Sequence, residues 1–259
     1  MNWVIAIPSY QRSDIIRTHT LAVLARYDIP HQLITVFVSD SDQYLEYRSV
    51  IPITIQIIVG KLGLAEQRGC ILDHFPIGTH IVMIDDDLSG FVERREDGGI
   101  RPLTSLRAVI DKGFAEAVKA NCCLWGVYPV PNGFFMRPTI TQDLKFIIGS
   151  FWGIINPGSS GDRGISSSLS EKEDYFRTLI CFERDGAVVR INDVSPKTKY
   201  YATTGGMQSN PNRVRDQKLA VDFLMNKWPT LVYLNTRRKN SEFPEVLLRS
   251  ARAPRAPKE

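Results

Sequence analysis

The chain has 259 residues, 43% of them hydrophobic and 23% charged, proportions that exclude a disordered or fibrous chain and permit one α/β domain with a sizeable core. A net charge of +4 suits an anionic partner, whether a phosphorylated donor or nucleic acid, without demanding one. No apolar run reaches the roughly 18 residues that a membrane-crossing helix needs, so no membrane partner is expected.

In chain order, residues 4–7 read as a strand stopping at Pro8, and residues 14–27 as a helix with Ser13 at its N-cap. Residues 33–38 give a second strand ending in Ser39 and Asp40, and residues 53–59 a third ending at Gly60. A helix over 64–75 leads to a fourth strand, 81–84, which runs straight into Asp85, Asp86 and Asp87. A helix over 103–120 and a strand over 122–128 follow. Strands alternating with helices predict a mostly parallel, Rossmann-like α/β sheet with helices on both faces. Ligands of such sheets bind at the C-terminal ends of the strands.

The second half is less regular. An apolar strand or hairpin over 144–155 precedes a Gly/Ser-rich stretch, 157–168, that predicts a mobile loop. Helices over 171–182 and 213–228 and strands over 188–191 and 231–234 follow. The Ala, Pro and Arg of residues 251–259 predict a disordered basic tail. Four cysteines without CxxC or metal-ligand spacing point to reduced thiols and a cytoplasmic setting.

The strongest chemical feature is the acidic run after residues 81–84. Adjacent carboxylates repel one another, so at the end of a buried strand they need a cation or hydrogen bonds. A hard divalent ion, Mn²⁺ or Mg²⁺, meets that need and can bridge a diphosphate. Side chains two apart on extended backbone point the same way, which makes Asp85 and Asp87 the metal pair and turns Asp86 toward ribose hydroxyls. A solvated turn capping a helix is the competing account.

A second feature is the Gly60–Gly69 stretch, where a loop carrying Lys61 and Gly63 enters a helix carrying Arg68. Helix N-terminal amides with two cations suit a phosphate, though a plain strand-to-helix turn reads equally well. Pro8, Tyr10 and Arg12 after the first strand and Asp40 after the second can stack on and hydrogen-bond a nucleotide, or form a turn and a helix cap. Glu173 and Asp174 follow the Gly/Ser stretch, where a carboxylate could deprotonate an acceptor or simply favour a helix start.

In order and approximate spacing, IAIPSYQR, VFVSD, GLAEQRG, IVMIDDD and EKED resemble the GT-A glycosyltransferases over roughly residues 3–185. The resemblance implies one GT-A domain over 1–250, with a nucleotide-sugar half (1–130) and an acceptor half (131–250). It implies a nucleoside-diphosphate sugar, UDP-sugar by expectation, held by Tyr10, Arg12, Asp40 and Arg68. Asp85 and Asp87 would hold metal, and Asp174 would serve as base if configuration inverts or position the acceptor if it is retained.

Within that family the chain looks most like the TET-associated glycosyltransferases of phages and large viruses, which implies sugar transfer to a hydroxymethylated pyrimidine in DNA. Trp152, Arg163, Arg213 and Arg215 are the acceptor-binding candidates, with the basic tail, and residues 203–207 read as a substrate-closing loop or a simple turn. One departure is that all four histidines lie at or before His80, so the C-terminal histidine that completes many GT-A metal shells has no counterpart. A glycosyltransferase with a glycan or small-molecule acceptor, a sugar-phosphate nucleotidyltransferase and a non-catalytic nucleic-acid-binding GT-A module are the competing functions.

Overall fold

The computed structural model describes residues 2–160, 165, 169–198, 212–236 and 243–250. From the N-terminus, β1 (Trp3–Pro8) leads through α1 (Ser13–Ile16), a π-helical turn at Arg17–Leu21 and α2 (Ala22–Arg26) to β2 (Ile34–Val38). α3 (Ser41–Val50), β3 (Gln56–Val59), α4 (Leu64–His74) and β4 (His80–Ile84) follow. Next come β5 (Leu88–Arg94), β6 (Ile100–Pro102), α5 (Leu106–Lys119), β7 (Leu124–Val127), β8 (Ile140–Thr141) and β9 (Phe151–Ile155). The chain ends with α6 (Glu173–Asp185), β10 (Val189–Ile191), β11 (Val194–Thr198), α7 (Arg213–Lys227), β12 (Val232–Leu234) and β13 (Val246–Leu248).

Eight strands make the central sheet in the order β3-β2-β1-β4-β9-β7-β10-β8. β1 pairs in parallel with both β2 and β4, so the strand order reverses at β1 and the loops after β1 and β4 face each other there. β9 enters antiparallel to both β4 and β7. Two reversals leave β7 parallel to β4, so their C-terminal ends share one edge.

Period-two alternation sorts the core onto two faces. Ile5 and Ile7 of β1 join α5 and β5 on one face, and Ala6 joins α4 and α6 on the other. A third cluster ties α6 to α7 and the β12–β13 pair through Phe176, Leu224, Trp228 and Val246. Gly113 and Gly153 give room to Trp125: a Cβ at either would lie within 2.3 Å of its ring.

Several boundaries differ from the sequence expectation. The helix expected over 14–27 is broken by the π-helical turn, and Ser13 is its first residue rather than its cap, donating instead to Glu46 (2.6 Å). Only residues 151–155 of the apolar 144–155 run are strand, because Ile147 and Ile148 pack as irregular core against α6. α3, a polar helix started by Asp40, and the three-stranded sheet β11-β5-β6 had no expectation. Residues 161–164, 166–168, 203–207 and 251–259, with Arg163, lie outside the described residues. Among the described residues no helix is long and apolar enough to cross a membrane, and all four cysteines are free thiols.

Candidate functional site

The acidic turn 85–87 sits where the loops after β1 and β4 meet. Thr20, placed by the π-helical turn, clips it from below: its Oγ1 donates to the Asp85 carbonyl (2.7 Å) and accepts from the Leu88 N–H (3.0 Å). A π-helical turn at such a place is a common mark of a functional site.

Asp86 points into the protein rather than toward a ligand. Ser9 Oγ donates to its Oδ2 (2.6 Å) and Arg12 Nη1 to its Oδ1 (3.0 Å). The single Ser9 proton is thereby used, so the Tyr47 hydroxyl donates to Ser9 Oγ (2.7 Å) while accepting from the Arg12 N–H (2.9 Å). Burial pushes the Tyr47 hydroxyl up to about 12, keeping it a proton donor. Arg12 also reaches Asp87 Oδ2 at 3.5 Å.

Arg68 bridges the acidic turn to the start of α6. Its Nη2 donates to Asp85 Oδ1 (3.1 Å) and to the Gly149 carbonyl (2.9 Å), and its Nη1 donates to Glu173. Glu173 in turn accepts from Arg177 Nη1 (2.9 Å), and Arg177 lies over the Trp152 ring at 3.7 Å. Burial would raise the Glu173 pKa, but Arg68 and Arg177 outweigh it and hold the carboxylate below its ordinary value.

Asp85 and Asp87, each meeting one guanidinium, and Asp174 are the carboxylates less fully engaged than Asp86 and Glu173. Burial, then the charges of Asp87 and Asp86, push Asp85 up to about 7 against the pull of Arg68, and burial also raises Asp87. With 35% of its side chain exposed, Asp85 opens to solvent. Burial followed by the Glu173 charge lifts Asp174 to about 6. It occupies the first turn of α6, after Lys172 in left-handed backbone (φ 57°), and accepts only from the Tyr175 N–H (2.9 Å) among recorded bonds.

Two elevated carboxylates at an open edge are a donor set that a divalent cation would relax. No three His, Cys, Asp or Glu side chains converge among the described residues, so this is no complete protein cage. It fits an ion held by one or two carboxylates with water and substrate phosphates. Ser150, whose carbonyl accepts from the Asp85 N–H (3.1 Å), adds a buried hydroxyl without a hydrogen-bond partner beside the pair.

Beside the turn, the loop 60–63 is shaped by Gln67. This buried side chain accepts from the Lys61 N–H (2.7 Å), and a Cβ at Gly60 would lie 2.0 Å from its Oε1. Gly63 opens α4 at φ +98°, a conformation that L side chains seldom take. Lys61 is exposed. Tyr10 is half-buried with its hydroxyl accepting from Gln11 (3.1 Å), and Pro8 is buried at the end of β1. Asp40 realises its capping alternative: its Oδ1 accepts from the Gln43 N–H (2.9 Å), which with Ser39 holds its pKa below the ordinary value.

No family model matches the chain. A curated relative from Oryza sativa subsp. indica, a "probable pyruvate, phosphate dikinase regulatory protein, chloroplastic", is 31% identical over 118 residues, 45% of this chain and 23% of its own length. The chain thus spans under a quarter of that relative. In structure, S. aureus TarS 1-349 matches with a TM-score of 0.51 at 15% identity, over 87% of this chain and 66% of that one. A mycobacterial protein matches with a TM-score of 0.50 at 11% identity, over 90% of this chain and 78% of that one. The fold is that of the GT-A glycosyltransferases.

On this GT-A frame several expected site residues take other roles. Trp152 is 1% exposed, with its Nε1 donating to the Gly149 carbonyl (3.1 Å); it is core and cannot meet an acceptor. Arg213 turns to the buried Glu171, donating from Nε at 3.1 Å, which leaves exposed Arg215 as the outward cation of the pair. Both Glu173 oxygens face guanidiniums, so it anchors the site instead of moving protons. Arg68, 8% exposed, spends both terminal nitrogens on protein acceptors and does not point out at a diphosphate. Tyr47, Gln67, Thr20 and Arg177 escaped the sequence reading; only Arg177, four residues after Glu173, left a legible mark as an i,i+4 ion pair.

Proposed function

We propose that this chain is a metal-assisted glycosyltransferase that moves a sugar from a nucleoside-diphosphate sugar, UDP-sugar by preference, to the hydroxyl of a hydroxymethylated pyrimidine in DNA. The observation that carries the reading is the single bridge by which Arg68 joins Asp85 of the acidic turn to the start of α6, where Asp174 stands free. It supports a site at one sheet edge in which Asp85 and Asp87 would meet the diphosphate and Asp174 would act as base. The resemblance of the IPSYQR, FVSD and IDDD segments to the TET-associated enzymes supports the DNA acceptor.

Asp85 and Asp87 would hold the Mn²⁺ or Mg²⁺. That ion, when bound, supplies charge to the leaving diphosphate. Exposed Lys61 and the α4 N-terminus add positive potential on the same side. Asp174 takes the proton of the acceptor hydroxyl as its oxygen bonds to the anomeric carbon, and the carbon–phosphate-oxygen bond breaks with its electron pair leaving on the diphosphate. Direct displacement inverts the anomeric configuration. Asp86 keeps Arg12 and the loop after β1 in place through Ser9 and Tyr47.

Mass spectrometry of hydroxymethylpyrimidine oligonucleotides after incubation with a panel of nucleotide sugars and Mn²⁺ tests the proposal. A hexose or pentose mass gain, absent with EDTA, is expected. Release of pyrophosphate from a nucleoside triphosphate and a sugar phosphate, with no mass gain, would move the chain to the nucleotidyltransferases.

A further inference from the structure

The loop after β7 holds two phenylalanines out into solvent on a stiff frame. Phe134 is 73% exposed and Phe135 55%, their rings edge to face at 4.9 Å. Asn132 caps the loop, its Oδ1 accepting from the Phe134 N–H (3.0 Å) and its carbonyl from the Phe135 N–H (3.1 Å). Fully buried Met136 anchors it from below, and Arg137 Nη1 ties the Phe134 and Met136 carbonyls at 2.7 and 2.8 Å. Gly133 lies so close to the Gly98 carbonyl that a Cβ would sit 2.2 Å from it, locking the loop to the β5–β6 turn. Exposure of the rings is therefore built in.

The loop leaves the same sheet edge as the acidic turn, because β7 runs parallel to β4 and the Tyr128 N–H bonds to the Val194 carbonyl (2.9 Å) just past its end. β5 starts directly after Asp87 and spans seven residues to Arg94. At ~3.3 Å per residue that puts the aromatic pair ~20 Å from the reacting centre. The surroundings are cationic. Glu93 is taken up by Arg101 and Asp97 by Arg95, whereas the guanidinium bonds recorded for Arg94 and Arg137 go to backbone carbonyls alone. Glu96 is the one acid of this turn without a recorded partner among the described residues.

Flat apolar rings beside a turn carrying Arg94, Arg95 and Arg101 and beside exposed Arg137, whose guanidinium bonds go to backbone carbonyls, match the two parts of a nucleic-acid strand, base faces and phosphates. We propose that Phe134 and Phe135 are a docking platform for single-stranded nucleic acid, gripping the acceptor strand several nucleotides from the base being modified. This rests on the DNA-acceptor reading and adds that the acceptor is held as a polymer.

The test compares wild type with Phe134→Ser/Phe135→Ser and Phe134→Trp/Phe135→Trp. Fluorescence anisotropy would follow a labelled single-stranded oligodeoxynucleotide of about a dozen residues, with Mn²⁺-dependent donor hydrolysis and sedimentation in parallel. The serine pair is expected to raise Kd roughly tenfold or more, the tryptophan pair to keep it, and donor hydrolysis to stay unchanged in both. Equal binding by all three proteins overturns the platform. So does donor hydrolysis by a wild type that does not bind the strand, which leaves the transferase reading standing. A binding difference without donor hydrolysis sinks the transferase reading and keeps the platform. A dimer, or glycan binding, lost in the serine pair while strand binding persists would assign the rings to another partner and overturn the proposal.

Discussion

Glu173 stands between Arg68 and Arg177, and without its charge two buried guanidiniums would face each other. Glu173→Gln is expected to destabilise the protein by about 3–5 kcal/mol, the usual cost of breaking a buried pair from one side; urea unfolding would read it, and a loss within experimental scatter would show that the anchor is dispensable. Asp87 meets Arg12 only at 3.5 Å, and Arg12 keeps its closer bond to Asp86, so Asp87→Asn should abolish turnover while the thermal midpoint stays near that of wild type. Asp174 supplies the pH dependence. A base works deprotonated, so with its pKa lifted to about 6 kcat should fall as pH drops through that value, and Asp174→Asn should remove the limb while lowering kcat by about 10²–10⁴-fold. An unchanged acid limb in the variant would assign it elsewhere. At this scale the acidic run was legible because its members are neighbours in sequence. The partners of Arg68 were not, since its bonds to Glu173 and Gly149 span 105 and 81 residues.

The loop between β3 and α4 is a unit whose shape depends on one internal contact. Gly60→Ala would drive a methyl into Gln67 Oε1 and displace the acceptor of the Lys61 N–H. The expected result is weaker donor binding, seen as a higher KM, with Gln67→Ala in the same chain adding less than its effect alone because the contact is already lost. Fully additive effects would show that the two residues act independently. The sequence reading found the helix here to within a residue, between Gly63 at its start and Pro76 just past its end. It missed the π-helical turn at Arg17–Leu21, whose extra residue per turn leaves no mark in a short apolar pattern, and it missed α3, whose polar surface carries no stripe to read.

The first two apolar clusters lie on opposite faces of the central sheet and α6 joins the second to the third, so no cluster can open without exposing another. A single unfolding transition is expected, with tryptophan emission and far-UV circular dichroism giving the same midpoint; an earlier emission change would mean that the Trp228 cluster melts by itself. The parallel first half of the sheet was legible from alternating strands and helices. The position of β9 was not, because strand order is a long-range property that no local pattern encodes. Its consequence reaches back to synthesis on the ribosome. β4 and β7 emerge before the strand that separates them, so in a nascent chain the β3-β2-β1-β4 sheet has an open flank at β4 and β7 has no partner in the central sheet until Phe151–Ile155 pairs with both. Translation speed over that interval sets how long those flanks stay available to the wrong partner.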